Sequence, residues 1–134
     1  MLILDANVLV SAALGRSRAL IEATAARGIE LLLTIEQRRE AASVLIRLGG
    51  SSESIERSLT FAADIVGLLE PEVYTPFEPA ARARLGPRGQ SDWPVLATAI
   101  ALDADIWSND RDFFGIGVAV WNTRNVGHAA TPPA

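Results

Sequence analysis

The feature that most constrains the fold is a series of short, wholly apolar runs that alternate with helical patterns. The first run is LIL at residues 2–4, which ends at Asp5. A strand that is apolar on both faces is typical of a parallel sheet covered by helices on both sides. The sequence therefore predicts an α/β fold built on a central, mainly parallel sheet of four to five strands.

The same patterns place the remaining elements. Further strands are predicted at 29–34, 72–77, 104–108 and 117–122, and helices at 7–13, 17–28, 35–48, 51–69, 79–86 and 92–103. The segment GPRGQ at 86–90 is predicted to be a mobile loop. Residues 127–134 are predicted to be a disordered tail, so the domain is expected to span residues 1–126.

Composition narrows the function classes. The chain has 134 residues, which suits one domain, and no cysteine, which excludes disulfides and thiolate metal sites. No apolar run approaches the roughly 18 residues of a membrane span, and no basic signal-peptide region precedes Asp5, so we expect a cytoplasmic protein without membrane partners. All 12 basic residues are arginine, which excludes mechanisms that need a lysine. The net charge of −4 disfavours nucleic-acid binding by bulk charge alone.

Four acidic residues are placed where an α/β protein binds ligands. Asp5 and Asp110 follow predicted strands, Asp92 heads a helix, and Glu40 lies in the helix after the second strand. Each also has a structural interpretation: Asp92 would complement a helix dipole, and Asp110 would cap a turn. Asp5 is harder to explain in this way, because a charge at the end of a buried strand is costly unless it is paired or binds a cation.

Carboxylates that converge on one cleft repel each other unless a divalent cation lies between them. Oxygen ligands without histidine or cysteine suit Mg²⁺ or Mn²⁺, and the single histidine, His128, lies in the predicted tail. A site of this type is commonly used for phosphoryl transfer, in which the metal activates water and stabilises the departing oxygen.

Four motifs in order resemble those of PIN-domain ribonucleases, the toxins of VapBC toxin–antitoxin pairs. They are LILDAN (Asp5, Asn7), TIEQRREAASVL (Glu40), DWPVLATAIA (Asp92) and SNDRDF (Ser108, Asp110, Asp112). The resemblance covers nearly the whole chain. It implies a single three-layer α/β/α domain and metal-dependent endonucleolytic cleavage of RNA by a metal-activated water.

The resemblance also implies roles for individual residues. Asp5, Glu40, Asp92 and Asp110 would be catalytic and bind Mg²⁺ or Mn²⁺, and Glu36, one turn before Glu40, could substitute for it. Three more residues complete the implied site. Asp112 would bind metal through water or cap the turn, and Asn7 and Ser108 would orient ligands.

Four arginines are candidate contacts to RNA phosphates, Arg82, Arg84, Arg88 and Arg111. For Arg82 and Arg84, a solvated helix face with ion pairs is an equal alternative. The expected partners are the RNA substrate, an antitoxin protein and a second copy of the chain in a homodimer.

Other protein classes also place an aspartate directly after an apolar strand. Haloacid-dehalogenase-like phosphatases need a second aspartate where this chain has Asn7, and receiver domains need a lysine; both are disfavoured. A non-catalytic PIN-like binding module for nucleic acid or protein is the alternative from a different class. The presence of all four acids argues against it.

Overall fold

A five-stranded parallel sheet organises the chain. The computed structural model describes residues 1–129, except for the side chain at position 61. The strands are β1 (Leu2–Leu4), β2 (Leu31–Thr34), β3 (Val66–Leu69), β4 (Asp105–Trp107) and β5 (Val120–Trp121), and they lie in the order β3-β2-β1-β4-β5. Every pairing is parallel, which confirms the predicted α/β fold with its central parallel sheet.

Six α-helices cover the sheet. They are α1 (Ala6–Ala13), α2 (Arg18–Ala26), α3 (Ile35–Arg47), α4 (Ser52–Ala63), α5 (Glu78–Arg84) and α6 (Trp93–Leu102). Thr34 and Ser51 cap α3 and α4 by accepting hydrogen bonds from backbone N–H groups three residues on. Among residues 1–129, no helix is long and apolar enough to cross a membrane.

Two separate cores lie on the two faces of the sheet. Leu2 and Leu4 of β1 pack with α1, α3 and α4, whereas Ile3 between them packs with α6 on the opposite face. The alternation follows from strand geometry, since successive side chains point to opposite faces. Each strand thus contributes to both cores, which explains why most strand residues are apolar whichever face they point to.

The third strand differs from the prediction. The helix predicted over residues 51–69 ends at Ala63, and Val66–Leu69 instead pairs with β2 as β3. The apolar spacing of Ile55, Leu59 and Ala62 continues into this segment, so periodicity alone does not separate the two. Gly67 weakens a helix, and the unpaired edge of β2 offers backbone hydrogen bonds that favour a strand.

Two other predicted segments differ as well. Residues 72–77, predicted as a strand, form 3₁₀ turns at Pro71–Val73 and Thr75–Phe77, because two prolines lack the N–H that a strand would donate. Of the loop predicted at 86–90, residues 87–90 lie within the 3₁₀ helix Pro87–Asp92, and Gly86 precedes it.

The predicted tail is ordered at its start. Val126–His128 forms a 3₁₀ turn, Ala129 is buried, and the Arg27 guanidinium donates a hydrogen bond to the Ala129 carbonyl. Residues 130–134, the rest of the predicted tail, lie outside the described residues.

Candidate functional site

The acids meet at the carboxyl ends of β1 and β4. These strands are neighbours and run parallel, so the residues that follow them emerge at the same edge of the sheet. Asp5 directly follows β1 and caps α1, while Asp110 lies in the loop after β4. Asp92 directly precedes α6 but makes no side-chain capping hydrogen bond to it, and Glu40 lies in the middle of α3. The fold therefore brings together residues that are more than one hundred positions apart in the chain.

Five carboxylates form two overlapping groups. One group contains Asp5, Glu40 and Asp92, and the other contains Asp92, Asp110 and Asp112. Within each group, one oxygen from each carboxylate lies within 4.8 Å of the others. Asp92 belongs to both groups, which makes its carboxylate the centre of the cluster.

Asp5 is buried, with only 4% of its surface exposed, and its carboxylate accepts hydrogen bonds from three donors. Its Oδ1 accepts from the Ala6 N–H at 2.8 Å. Its Oδ2 accepts from the Ser108 hydroxyl at 2.6 Å and from the Asn7 amide at 3.2 Å. These bonds fix the orientation of the carboxylate and offset part of the cost of its burial.

Ser108 links Asp5 to the loop that contains Asp110. Its hydroxyl oxygen accepts from the Asp110 N–H at 3.0 Å while donating to Asp5. Asp110 Oδ1 in turn accepts from the Asp112 N–H at 2.9 Å and caps a 3₁₀ turn, Arg111–Phe113. The turn-capping interpretation of Asp110 is thus correct, and the same geometry directs its carboxylate toward Asp92. The hydrogen bond from the Asp112 N–H therefore both caps the turn and orients the Asp110 carboxylate.

Burial, and then the charge of neighbouring carboxylates, raises the pKa of three of these acids. Burial, then the charges of Asp5, Asp110, Glu40 and Asp112, raise the pKa of Asp92 to about 7. Burial is also the main cause of the raised pKa values of Asp5 and Glu40, and in both the Asp110 charge adds to the rise. The Ser108 and Ala6 hydrogen bonds oppose the shift of Asp5. The cluster is therefore short of positive charge when all its members are ionised.

This set of ligands fits a divalent cation. All the converging ligand atoms are carboxylate oxygens, the type that Mg²⁺ and Mn²⁺ prefer. A cation would also offset the repulsion among these neighbouring carboxylates.

The structure separates the two candidate helical acids. Glu40 lies with Asp5 and Asp92, whereas the Glu36 carboxylate accepts a hydrogen bond from the buried Tyr74 hydroxyl. Burial and this contact raise the pKa of Tyr74, so the phenol stays protonated and keeps donating.

The candidate arginines do not form one group. Arg82 binds Glu78 at 2.8 Å and lies 5.5 Å from the centre of the Trp93 ring. Arg84 contacts the Ile116 carbonyl and borders a cavity at the amino end of β4, the end of the strand opposite the acids. The two others are exposed: Arg88 lies next to Gly89, which faces Asp112, and Arg111 lies between Asp110 and Asp112.

Sequence reasoning missed one positioning residue, Gln37. Its side chain is 1% exposed and its Oε1 accepts from the Ala6 N–H at 3.2 Å, directly beside Asp5. This contact ties α3 to the start of α1 and so sets the distance between Glu40 and Asp5. A signal was available, since Gln37 lies one helical turn before Glu40 on the same face of α3.

Comparisons with known proteins agree with the fold. A solved structure of FitAB bound to an IR36 DNA fragment shares the fold, with a TM-score of 0.61 and 20% sequence identity over 92% of this chain and 95% of that chain. None of the curated proteins compared with the chain matches it. The sequence profile of the PIN domain family matches residues 3–131, which is nearly the whole chain. The chain therefore belongs to the PIN domain family.

Proposed function

We propose that this protein is a Mg²⁺- or Mn²⁺-dependent endoribonuclease that cleaves RNA phosphodiester bonds. The observation that carries the proposal is the pair of overlapping carboxylate groups that share Asp92 at the carboxyl ends of β1 and β4. Membership of the PIN domain family supports the same function. An enzyme with RNA as its substrate is expected to act in the cytoplasm.

Asp5, Glu40, Asp92 and Asp110 would hold the cation, with Asp112 at the edge of the site. When bound, the cation would activate a water molecule and stabilise charge on the departing oxygen. Asn7 and Ser108 hold the Asp5 carboxylate in place, so that its oxygens do not have to reorganise during the reaction. Arg111, and Arg88 on the neighbouring turn, would bind phosphates that flank the scissile bond.

Cleavage assays on variants test the proposal. Asp5→Asn and Asp110→Ala should abolish Mg²⁺- or Mn²⁺-dependent cleavage of RNA, while Asp64→Asn, at an exposed position after α4, should cleave like wild type. Circular dichroism spectra would show whether each variant keeps its fold. Cleavage by Asp5→Asn at the wild-type rate would refute the proposal, and RNA binding without cleavage by wild type would favour a non-catalytic module.

We propose further that the enzyme is the toxin of a toxin–antitoxin pair and forms a homodimer. The support is the sequence resemblance to VapBC toxins and the similarity to FitAB, whose solved structure includes DNA. An apolar groove beside α4 and β3 offers a surface for a protein partner; it is lined in part by Leu9, Leu59, Val66 and half-exposed Leu68.

Both partner proposals have direct tests. A small DNA-binding protein encoded by the neighbouring reading frame should bind this chain and stop RNA cleavage. Light scattering on the purified chain should give twice the 14.3 kDa mass of the monomer. A monomeric mass at micromolar concentration would refute the homodimer, and unchanged cleavage in the presence of the neighbouring protein would refute the antitoxin.

A further inference from the structure

A large groove opens beside the carboxylates, on the β5 side of the sheet. Its volume is about 860 Å³, within the ~300–1,000 Å³ range of pockets that hold ligands. Its walls come from the loops after β4 and β5. The lining includes Ser108, Asn109, Arg111, Phe114, Thr123 and Arg124.

The groove adjoins the acid cluster, although none of the five clustered carboxylates lines it. Ser108 borders the groove, and its hydroxyl donates to Asp5 Oδ2 at 2.6 Å. Arg111, on the same loop, lies between Asp110 and Asp112 in sequence. A strand that lies in the groove would therefore pass beside the loop that contains Asp110 and Asp112.

Phe114 lies on this groove with 69% of its surface exposed. It differs in this respect from its neighbour Phe113, which is completely buried in the core between the sheet and α6. An aromatic ring that contributes so little to the core is free to stack against a flat ligand. Nucleobases stack on such rings irrespective of their sequence.

Two guanidinium groups border the same groove. Among residues 1–129, the Arg111 and Arg124 side chains make no salt bridge or side-chain hydrogen bond, in contrast to Arg18, Arg38 and Arg82. Both are exposed. Their charge is therefore available to phosphate groups, which arginine binds through paired N–H donors.

The wall between the two loops is held rigidly. Asn109 Nδ2 donates to Thr123 Oγ1 at 3.0 Å, and the Thr123 N–H donates back to Asn109 Oδ1 at 2.9 Å. The buried Trp107 indole also donates to Thr123 Oγ1, at 3.4 Å. This reciprocal pair joins the loop that contains Arg111 to the loop that contains Arg124, so the backbones of the two loops are restrained relative to each other.

We propose that this groove binds a single-stranded segment of the RNA, with a base stacked on Phe114 and phosphates bound by Arg111 and Arg124. The inference rests on the proposed ribonuclease function and adds to it the side chains of this groove, Phe114 and Arg124 above all, that position an unpaired strand beside the acids. A duplex would not bind in the same way, because its bases are already stacked on one another and cannot reach the ring.

Binding of an oligouridylate of about 12 nucleotides, labelled with fluorescein and followed by anisotropy in EDTA, tests the groove without cleavage. Phe114→Ala should raise the Kd by about five- to hundredfold, and Phe114→Tyr should restore it. Arg124→Ala should weaken binding and reduce the slope of log Kd against log salt by about 0.7. The same RNA annealed to oligoadenylate should bind more weakly than the single strand.

Two control variants match these changes on the opposite side of the molecule. Leu48→Ala truncates an apolar side chain that is 63% exposed, and Arg57→Ala removes an exposed cation from α4. Both should bind RNA like wild type. Since Phe114 and Arg124 are exposed, their variants should also keep the wild-type melting temperature.

Binding and cleavage together separate this inference from the proposed function. If wild type cleaves RNA while Phe114→Ala and Arg124→Ala keep the wild-type Kd and KM, the groove is not the RNA path and the inference is overturned. If these variants lose binding but wild type does not cleave with Mg²⁺ or Mn²⁺, the groove stands and the enzymatic proposal fails. A raised KM with kcat largely retained in the groove variants would support both.

Discussion

Replacing Asp92 with asparagine should stabilise the metal-free protein at high pH. The Asp92 pKa rises from 3.8 to about 7 on folding, because the carboxyl is partly buried and faces four other carboxylates. A raised carboxyl pKa contributes most stability below pH 3.8, and this contribution is lost as the pH rises to about 7. Asparagine keeps the size of the side chain and carries no charge at any pH.

The size of the Asp92 pKa shift determines how much the substitution should change the free energy of unfolding. Each pKa unit is worth ~1.4 kcal/mol, so the Asp92 charge lowers the free energy of unfolding at pH 8 by at most about 4 kcal/mol. Water that reaches the side chain screens part of this, and we expect about 2 kcal/mol. For a domain of this size, that corresponds to a melting temperature roughly 5–10 °C higher in Asp92→Asn than in wild type.

Thermal unfolding in EDTA at pH 5 and pH 8 measures this difference. The advantage of Asp92→Asn should grow between the two values, and the exposed Asp64→Asn should not show it. Addition of Mg²⁺ at pH 8 should raise the melting temperature of wild type by mass action and that of Asp92→Asn much less. If wild type and Asp92→Asn changed in parallel from pH 5 to pH 8, the carboxylates would not repel one another as the geometry requires.

Three further predictions test individual contacts. Ser108→Ala removes the donor to Asp5 and should weaken Mn²⁺ binding by about tenfold in calorimetric titration; unchanged affinity would show that the hydroxyl does not orient Asp5. Tyr74→Phe should lower the free energy of unfolding by about 1 kcal/mol in urea and leave RNA cleavage intact; a loss of cleavage comparable to that of Glu40→Gln would instead identify Glu36 as a catalytic acid. Gly67→Ala should lower the free energy of unfolding by about 1 kcal/mol, because its Cβ would lie 2.9 Å from Leu32 Cδ2 and the Leu32 side chain would have to move within its core; wild-type stability would mean that the Leu32 side chain can move aside without loss of packing.

The fold was predictable where a pattern had only one interpretation. The run LIL before Asp5 indicated a buried parallel strand because no polar residue interrupts it, and the structure confirms β1 at the centre of the sheet. Val66–Leu69 was not predictable in this way, since its apolar residues continue the stripe of α4. Only the neighbouring edge of β2 makes a strand the better choice there.

Some residues of the candidate site could likewise be predicted from the sequence, and others could not. Asp5, Asp92 and Asp110 could be named from the sequence because each stands at the end of a strand or the start of a helix, where an α/β sheet places its ligands. Phe114 and Arg124 could not, because their importance depends on which residues the folded chain places beside them.

The sequence by itself determined the alternation of strands and helices, the burial of the strands on both faces, and the chemical type of the site. These are local properties of composition and spacing. Only the tertiary structure decided that Glu40 rather than Glu36 faces Asp5, that Arg84 lies at the far end of β4, and that a groove bordered by Ser108, Arg111 and Phe114 lies beside the acids. The physical reason is that parallel pairing of β1 with β4, and the packing of α3 on α1, bring together side chains that no local pattern connects.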